Sequence, residues 1–393
     1  MEFLKPLQGM RDIFDPIARD KRIMLNNLVE YLERCSYQQI DLPLLEETDL
    51  LLKKSGGTLA SKMYSFEDPG GRSVSLRPEF TSSVVRAFLN KKIDPLIITK
   101  LFYYGQVFRY NSENTNNHRE YTQIGCELIG SSTQSSDSEI VMTAVKGANL
   151  FISNCTIRIG HMGIINKILD ELNLPDRLKF FISEHLSVLR EGDKGIEKLK
   201  EIALKLGLIS HNTSKELLPN EDKGELLQAY LKNMGMYNLG VRTIEEIQTR
   251  FLNKGIHQQS VDSFEATLKT IYEIISDTGE YNEVLNRLGS KCSDKVNEII
   301  TDFSKMIESL KVTSKKNKIQ IDLCLGREIP YYTGLVFQIT SLYDGEDIII
   351  SQGGRYDDLI AVLGNNQISA SALGFAWDLD ALQKISDIGE VKH

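Results

Sequence analysis

The sequence contains few cysteines, and they are not arranged in a way that suggests a covalent or metal-bound scaffold. The five cysteines are scattered, odd in number and never spaced as Cys-x-x-Cys. We therefore expect neither a disulfide framework nor a structural zinc site, and we expect a reducing compartment. The first residues lack a signal-peptide pattern, and no apolar run approaches the ~20 residues that span a bilayer. We expect a cytoplasmic protein that does not engage a membrane.

The sequence also lacks an excess of positive charge. It has 46 Lys and Arg against 54 Asp and Glu, for a net charge of −8, which argues against a large nucleic-acid surface. The stretch Lys53-Lys-Ser-Gly-Gly-Thr58 is not a phosphate-binding loop, because no Gly-Lys-Ser/Thr follows at the required spacing. What remains is an ordinary globular composition, with 41% hydrophobic and 25% charged residues among 393, enough for two or three domains.

The most informative stretch is a predicted hairpin. Aromatic and β-branched residues predict strands over 101–108 and 121–129, joined by an Asn-rich loop. Arg109 leaves the first strand, whereas Gln123 and Glu127 lie four residues apart on the second strand and should point to one face. A cation and two hydrogen-bonding groups on one surface suit a small zwitterion. A surface hairpin held by a salt bridge explains the stretch equally well.

The chain changes character twice outside the hairpin. Residues 1–161 and 318–393 mix short strands with helices, whereas 162–317 show Lys/Glu-rich helical periodicity without a catalytic constellation. We predict a core made of the first two segments, interrupted by a helical insertion at 162–317. Within the core, Glu79 and Thr81 precede a helix predicted over 82–90. Glu79 is a candidate site residue, although a carboxylate at that position also caps a helix.

Several separate stretches resemble, in order, the catalytic domain of class II aminoacyl-tRNA synthetases, and within them the histidyl-tRNA synthetase lineage. Gly9-Met-Arg-Asp, the helix after it and Pro43 resemble motif 1, and Leu76-Arg-Pro-Glu79, Phe108-Arg109 and Gln123-x-x-x-Glu127 resemble motif 2. Arg327-x-x-x-Tyr331-Tyr332-Thr-Gly and Gly353-Gly-Arg-Tyr-Asp357 resemble the two histidine-specific motifs. The resemblance implies an α+β fold, with a mostly antiparallel sheet of about six strands flanked by helices and a helical insertion.

The resemblance also implies that these positions hold free histidine. Glu79, Thr81 and Gln123 would meet the α-ammonium group, and Arg109 and Arg327 would lie near the carboxylate. Glu127, Tyr332 and Tyr356 would contact the imidazole, and Tyr331 belongs to the same pocket. The chemistry is consistent, since an imidazole offers one N–H and one lone pair to a carboxylate and a hydroxyl. A planar guanidinium matches a carboxylate at two points.

The sequence departs from the synthetase pattern where the family handles nucleotide and tRNA. Motif 3, Gly-Phe-Ala-x-Gly-x-Glu-Arg-Leu in the family, is here Gly374-Phe-Ala-Trp-Asp-Leu-Asp-Ala-Leu382. Ala381 replaces the arginine that meets the ATP phosphates, and Asp378 replaces a glycine. An alanine has no donor for a phosphate, and an aspartate repels one. The loop sequence Arg109-Tyr-Asn111 also lacks a nucleotide-facing carboxylate. Because the chain stops just after motif 3, we expect no anticodon-binding domain and no tRNA partner.

This combination, together with Ile159-Gly-His161-Met-Gly, resembles the regulatory subunits of ATP phosphoribosyltransferase. The resemblance implies a non-catalytic chain with no catalytic residues, cofactor or metal. Such a chain binds and activates the short-form catalytic subunit and mediates histidine feedback at the first step of histidine biosynthesis. It further implies a homodimer through motif 1, residues 15–43, within a hetero-octamer. The alternatives are a histidyl-tRNA synthetase, or a fragment of one, that forms histidyl-adenylate, and a stand-alone histidine-binding or tRNA-like scaffold protein with an unrelated partner.

Overall fold

A computed structural model describes residues 4–53, 61–110, 118–172, 174–210, 259–276, 278–313, 316–326 and 331–386. The chain divides into two compact units, one formed by residues 1–168 and 277–393 and the other by 169–276. In the second unit the helices pack around a short parallel pair of strands. The predicted helix over 224–232 and the predicted site residue Arg327 lie outside the described residues.

The helices are numbered here in chain order. They are α1 (Ile17–Arg34), α2 (Thr48–Leu52), α3 (Thr81–Asn90), α4 (Gln134–Ala148), α5 (Met162–Glu171), α6 (Asp176–Glu184), α7 (Leu186–Leu189), α8 (Asp193–Lys205), α9 (Val261–Ile275), α10 (Tyr281–Lys291), α11 (Asp294–Thr313), α12 (Asp357–Leu363) and α13 (Leu379–Ile385). The insertion over 162–317 stays a prediction, and two of the helices within it, α10 and α11, belong to the first unit. The reason is packing: α11 lies along α4, where Ser138 and Ser309 share a 3.0 Å hydrogen bond.

The strands are β1 (Gln38–Gln39), β2 (Leu45–Glu47), β3 (Ser65–Glu67), β4 (Ser73–Leu76), β5 (Thr99–Phe108), β6 (Glu120–Ile129), β7 (Thr156–His161), β8 (Ile209–Ser210), β9 (Gln259–Ser260), β10 (Gly279–Glu280), β11 (Lys318–Ile321), β12 (Leu335–Tyr343), β13 (Glu346–Arg355) and β14 (Ala372–Asp378). Nine of them form one sheet in the order β1-β5-β6-β14-β13-β12-β7-β11-β10. The six strands from β5 to β7 in this order pair antiparallel throughout. This confirms the predicted α+β fold with about six antiparallel strands flanked by helices, and the short strands outside them extend the sheet.

Apolar side chains fix the helices on both faces of the sheet. Met24, Leu28 and Leu32 recur every four residues along α1 and are almost completely buried, so one stripe of the helix faces the protein. On the side that carries the site, α3 and α12 pack over the sheet through Val84, Phe88 and other members of one core cluster. None of the described helices is long and apolar enough to cross a membrane.

The segment Gln352-Gly-Gly-Arg355 differs from its prediction. The glycine pair predicts a tight turn into a helix, but these residues complete strand β13. Gly353 lies opposite Phe375 of β14, where a Cβ would come within 2.4 Å of the phenylalanine Cβ and 2.3 Å of the Gly374 carbonyl oxygen. The glycine therefore allows two strands to approach each other closely, and it does not make a turn.

Candidate functional site

The site begins with the register of the hairpin. Strands β5 and β6 pair from Phe108 opposite Glu120 to Thr99 opposite Ile129, which agrees with the predicted antiparallel pair. On the other side of β6, Glu127 lies opposite Gly374 and Gln123 lies opposite Asp378 of β14. The alternation of side chains along a strand places Gln123, Gly125 and Glu127 on one face, as the sequence predicts.

A pocket that is partly open to solvent lies on this face of the sheet. Its walls contain seven of the nine predicted site residues: Glu79, Thr81, Arg109, Gln123, Tyr331, Tyr332 and Tyr356. Glu127 lies directly beneath the wall and is 1% exposed. The structure therefore brings eight of the nine predicted residues together, from β6, the start of α3 and the chain just before it, and the segments directly after β5, before β12 and after β13.

Glu127 is held entirely by hydroxyl groups. It accepts hydrogen bonds from Thr81 Oγ1 at 2.9 Å, Tyr103 Oη at 3.0 Å and Tyr356 Oη at 2.6 Å, and none of these partners is a cation. Burial raises the pKa of Glu127 from 4.5 to about 7, although the three hydrogen bonds oppose the shift. The carboxyl group therefore sits near its protonation midpoint at neutral pH. A ligand would meet it through the hydroxyls that cover it.

The sequence leaves open whether Glu79 is a site residue or a helix cap, and in the structure it both lines the pocket and caps a helix. Its carboxylate accepts hydrogen bonds from the backbone N–H of Thr81 and from that of Ser82, the latter at 3.1 Å. These are two of the otherwise unpartnered N–H groups at the start of α3, so Glu79 caps that helix. It also lines the pocket. The cap fixes the carboxylate in place and presents a negative charge to the pocket.

Arg109 also lines the pocket. Its Nε donates to the carbonyl oxygen of Pro78 at 2.9 Å, and its guanidinium lies 5.4 Å from the centre of the Tyr121 ring. Beyond the wall, Asp378 accepts a hydrogen bond from the backbone N–H of Ala381 at 2.9 Å and so caps α13. Burial raises the pKa of Asp378 to about 6, and the positive charge of Arg109 opposes this rise.

Sequence reasoning missed several residues of the site. Tyr103 is the most important, because it lines the pocket and donates to Glu127. The others are Phe80, Gln352, Gly374, Phe375 and Ala376. A signal for Tyr103 exists in the sequence: it lies on β5 opposite Gly125, and a Cβ at 125 would come within 2.8 Å of the tyrosine hydroxyl. The glycine between Gln123 and Glu127 thus leaves room for a side chain from the neighbouring strand.

In the part of the chain that the structure describes, no three His, Cys, Asp or Glu side chains lie together in the way that would hold a metal ion. The pocket offers hydroxyl, amide, guanidinium and carboxylate groups around aromatic rings. Such a set can hold a small polar molecule that has a charged end and a flat, hydrogen-bonding end.

Comparisons with known proteins point to one group. The family model described as histidyl-tRNA synthetase matches residues 9–218 and 239–382. A histidine–tRNA ligase of Methanococcus aeolicus is 27% identical over 391 residues, which cover 98% of this chain and 77% of that ligase. The corresponding ligase of Sulfurisphaera tokodaii is 30% identical over 375 residues, which cover 95% of this chain and 72% of that ligase.

Solved structures share the fold. One from Bacillus halodurans, named an ATP phosphoribosyltransferase regulatory subunit/histidyl-tRNA synthetase, has a TM-score of 0.68 at 20% identity and covers 98% of this chain and 83% of its own. The apo histidyl-tRNA synthetase of S. aureus has a TM-score of 0.55 at 20% identity, covering 97% and 73%. These likenesses establish the class II synthetase fold.

Proposed function

We propose that this chain, which belongs to the histidyl-tRNA synthetase family, binds free histidine without activating it and regulates a short-form ATP phosphoribosyltransferase. One observation carries the proposal. Eight of the nine residues expected to bind an amino acid lie together at the pocket, whereas the turn from β14 into α13, where the resemblance places the phosphate contacts of motif 3, carries Asp378 and Ala381. Neither side chain can hold a phosphate, since one is an anion and the other has no polar atom.

The closed end of the pocket supports an imidazole as the bound group. Thr81, Tyr103 and Tyr356 each point a hydroxyl proton at Glu127, so their lone pairs remain as acceptors for an N–H of a ligand. Tyr331 and Tyr332 add aromatic walls, with ring centres 5.4 Å apart. A flat ring with an N–H matches both features, whereas an isosteric apolar side chain would offer the hydroxyl lone pairs no donor.

The amino-acid backbone would lie toward the other end. Glu79 and Gln123 offer acceptors for an ammonium group, and Arg109 offers a cation for a carboxylate. The two carboxylates of the pocket thus have separate tasks, because Glu79 is held by backbone N–H groups at the start of α3 and Glu127 by the hydroxyls of Thr81 and two tyrosines. Arg327 would add a second cation.

The proposed regulatory role rests on Asp378 and Ala381 and not on the Bacillus halodurans structure. That structure carries both names, and its likeness at 20% identity establishes the fold alone. In our proposal the chain binds the short-form catalytic subunit and activates it, and histidine acts as feedback inhibitor at the first step of histidine biosynthesis. Feedback of this kind requires histidine to bind one state of the assembly more tightly than another, typically by ~1–3 kcal/mol of coupling.

Motif 1 would supply a homodimer interface within a hetero-octamer. Large apolar side chains are exposed in and beside residues 15–43, namely Phe14, Ile17, Ile23, Leu44 and Leu45. Exposed large apolar side chains that lie close along the chain are a feature that subunit contacts often use. The proposal therefore assigns this surface to a second copy of the chain.

The second candidate is a histidyl-tRNA synthetase that forms histidyl-adenylate, and the names of the curated relatives favour it. Histidine-dependent exchange of pyrophosphate into ATP separates the two. We expect no exchange by the purified chain, and exchange at the rate of a working synthetase would overturn the proposal.

A direct test combines assembly with ligand binding. The short-form catalytic subunit should co-purify with this chain, gain activity from it and become sensitive to histidine. Glu127→Ala should abolish histidine binding in calorimetry and leave the complex assembled in light scattering. Glu67→Ala is the matched control. Glu67 is exposed on strand β3, and this variant should bind histidine as the parent chain does. Unchanged binding by Glu127→Ala would show that the pocket assignment is wrong.

A further inference from the structure

We infer that Asp378 restricts the pocket to the free amino acid and excludes anionic acyl derivatives of it, such as an aminoacyl-adenylate. The inference rests on the proposed function, because it takes the pocket as the binding site for histidine. It goes further in naming one residue that separates binding of an amino acid from binding of its activated form.

The argument begins with the register between β6 and β14. Across this pair, Glu127 lies opposite Gly374 and Gln123 opposite Asp378, with Gly125 and Ala376 between them. Residues two apart advance by about 6.6–6.8 Å along a strand, so Asp378 lies about 13 Å along the sheet from the Glu127 row. Gly374 and Ala376 line the pocket, and alternation along β14 carries Asp378 to the same face.

The opposite face of β14 confirms this orientation. Trp377 points away from the pocket, because its indole N–H donates to the Ala144 carbonyl oxygen of α4 at 3.0 Å. A Cβ on Gly147 of the same helix would meet the Trp377 ring at 2.3 Å. The residue after Trp377 must therefore face the pocket side, where its charge also acts on Arg109 and Tyr121.

The position of Asp378 corresponds to a specific part of a bound ligand. A histidine whose ring lies over Glu127 points its backbone toward Gln123 and Arg109. Any group attached to its carboxylate then extends toward Asp378. An acyl phosphate adds a negative charge at this point. Two like charges about 5 Å apart repel each other, and Asp378 can relieve that repulsion only by binding a proton. For a pKa of about 6 this weakens binding about tenfold at pH 7.

The arginine that would attract such a phosphate is already influenced by this carboxylate. The Arg109 guanidinium is close enough to Asp378 to oppose, weakly, the rise that burial causes in the pKa of Asp378. Free histidine brings an ammonium group together with its carboxylate and is neutral overall, so the charge of Asp378 changes its affinity little. The phosphate derivative brings an additional anion that neither side chain accommodates.

Asp378 has a structural task as well, and the two roles can be separated. It caps α13 through the Ala381 N–H, and an asparagine caps a helix as well as an aspartate does. Asp378→Asn therefore keeps the size and the hydrogen bond but removes the charge. Asp344→Asn is the matched control, since Asp344 lies in the exposed turn between β12 and β13 at a φ of 52° that asparagine also tolerates.

The experiment measures binding of two probes by calorimetry, L-histidine and 5′-O-[N-(L-histidyl)sulfamoyl]adenosine, a stable mimic of the adenylate. The parent chain should bind the mimic at least about tenfold more weakly than histidine. At pH 7, Asp378→Asn should bind the mimic about tenfold more tightly than the parent does, with histidine affinity changed by less than about threefold. Asp344→Asn should match the parent for both probes.

Two results would overturn the inference while leaving the proposed function intact. One is a parent chain that binds the mimic as tightly as histidine, which decides the question even if Asp378→Asn does not fold. The other is an Asp378→Asn variant that binds histidine but still rejects the mimic as the parent does. Failure of the parent chain to bind histidine at all would instead overturn the proposed function.

Discussion

The closed end and the open end of the pocket handle charge in opposite ways. At the closed end, Glu127 is buried and held only by neutral hydroxyls, so its pKa rises to about 7. At the open end, Arg109 and Asp378 place a cation and an anion beside Gln123. The closed end can therefore select a side chain through hydrogen bonds and a shared proton. The open end selects what is attached to the amino-acid backbone through full charges.

The largest expected effect comes from filling the space above Glu127. Gly374→Ala would place a Cβ 1.6 Å from Glu127 Oε2 and 2.6 Å from the Cys126 carbonyl oxygen. Because β14 is paired on both sides, the backbone cannot move away, and the carboxylate must leave its hydroxyl partners. We expect histidine affinity to fall more than about 100-fold and the free energy of unfolding to fall by about 1–3 kcal/mol. Calorimetry and urea unfolding measure the two.

Gly289→Ala is the control for that substitution. Gly289 lies within α10, and a Cβ there would meet its nearest atom, Asn297 Oδ1, at an ordinary 3.5 Å. We expect unchanged histidine binding and a gain of up to about 1 kcal/mol from helix propensity. If Gly374→Ala bound histidine normally, the closed end would not depend on the position of Glu127.

The second prediction concerns pH and the same carboxyl group. Since the pKa of Glu127 is raised from 4.5 to about 7, the folded state holds a proton that the unfolded state has lost between those two values. Stability from this group is thus complete below pH 4.5 and is lost as pH rises through 7. Between pH 4.5 and 8 the free energy of unfolding of the parent chain should therefore fall by about 3 kcal/mol relative to that of Glu127→Gln, whose side chain stays neutral.

Urea unfolding of both proteins across that range measures this difference. Parallel stability curves would contradict the raised pKa and would remove the contrast between the two ends of the pocket. At the open end, the pKa of Asp378 is raised to about 6. This group should also lose stability as pH rises, over a narrower pH range than Glu127.

From the sequence, the part of the site that lies on the β5–β6 hairpin could be predicted, but not the contacts that distant strands make with it. Period 2 along β6 places Gln123 and Glu127 on one face, and the predicted hairpin strands end within two residues of β5 and β6. The position of Glu127 beneath tyrosines could not be predicted, because it depends on Gly374 in a strand far along the chain. Pairing register between distant strands is set by packing of the whole sheet, not by local pattern. The same cause made Gly353 resemble a turn residue.

The smallest expected effect tests whether the hydroxyls at the closed end contact the ligand. Tyr103→Phe removes one of three donors to Glu127 and preserves the ring that stacks on Phe80, with ring centres 4.3 Å apart. Because that hydrogen bond lowers the pKa of Glu127, its loss should raise the pKa further. Histidine affinity should fall about tenfold, as expected for one hydrogen bond to a charged group.

Tyr343→Phe provides the control, since Tyr343 is exposed at the end of β12 and should leave binding unchanged. Calorimetric titration of both variants from pH 5 to 8 measures affinity and its pH midpoint together. A tenfold loss with a midpoint moved to higher pH would place the ligand ring against the hydroxyls of the closed end. An unchanged affinity would mean that the ligand stays at the open end, where Arg109 and Asp378 alone would determine what binds.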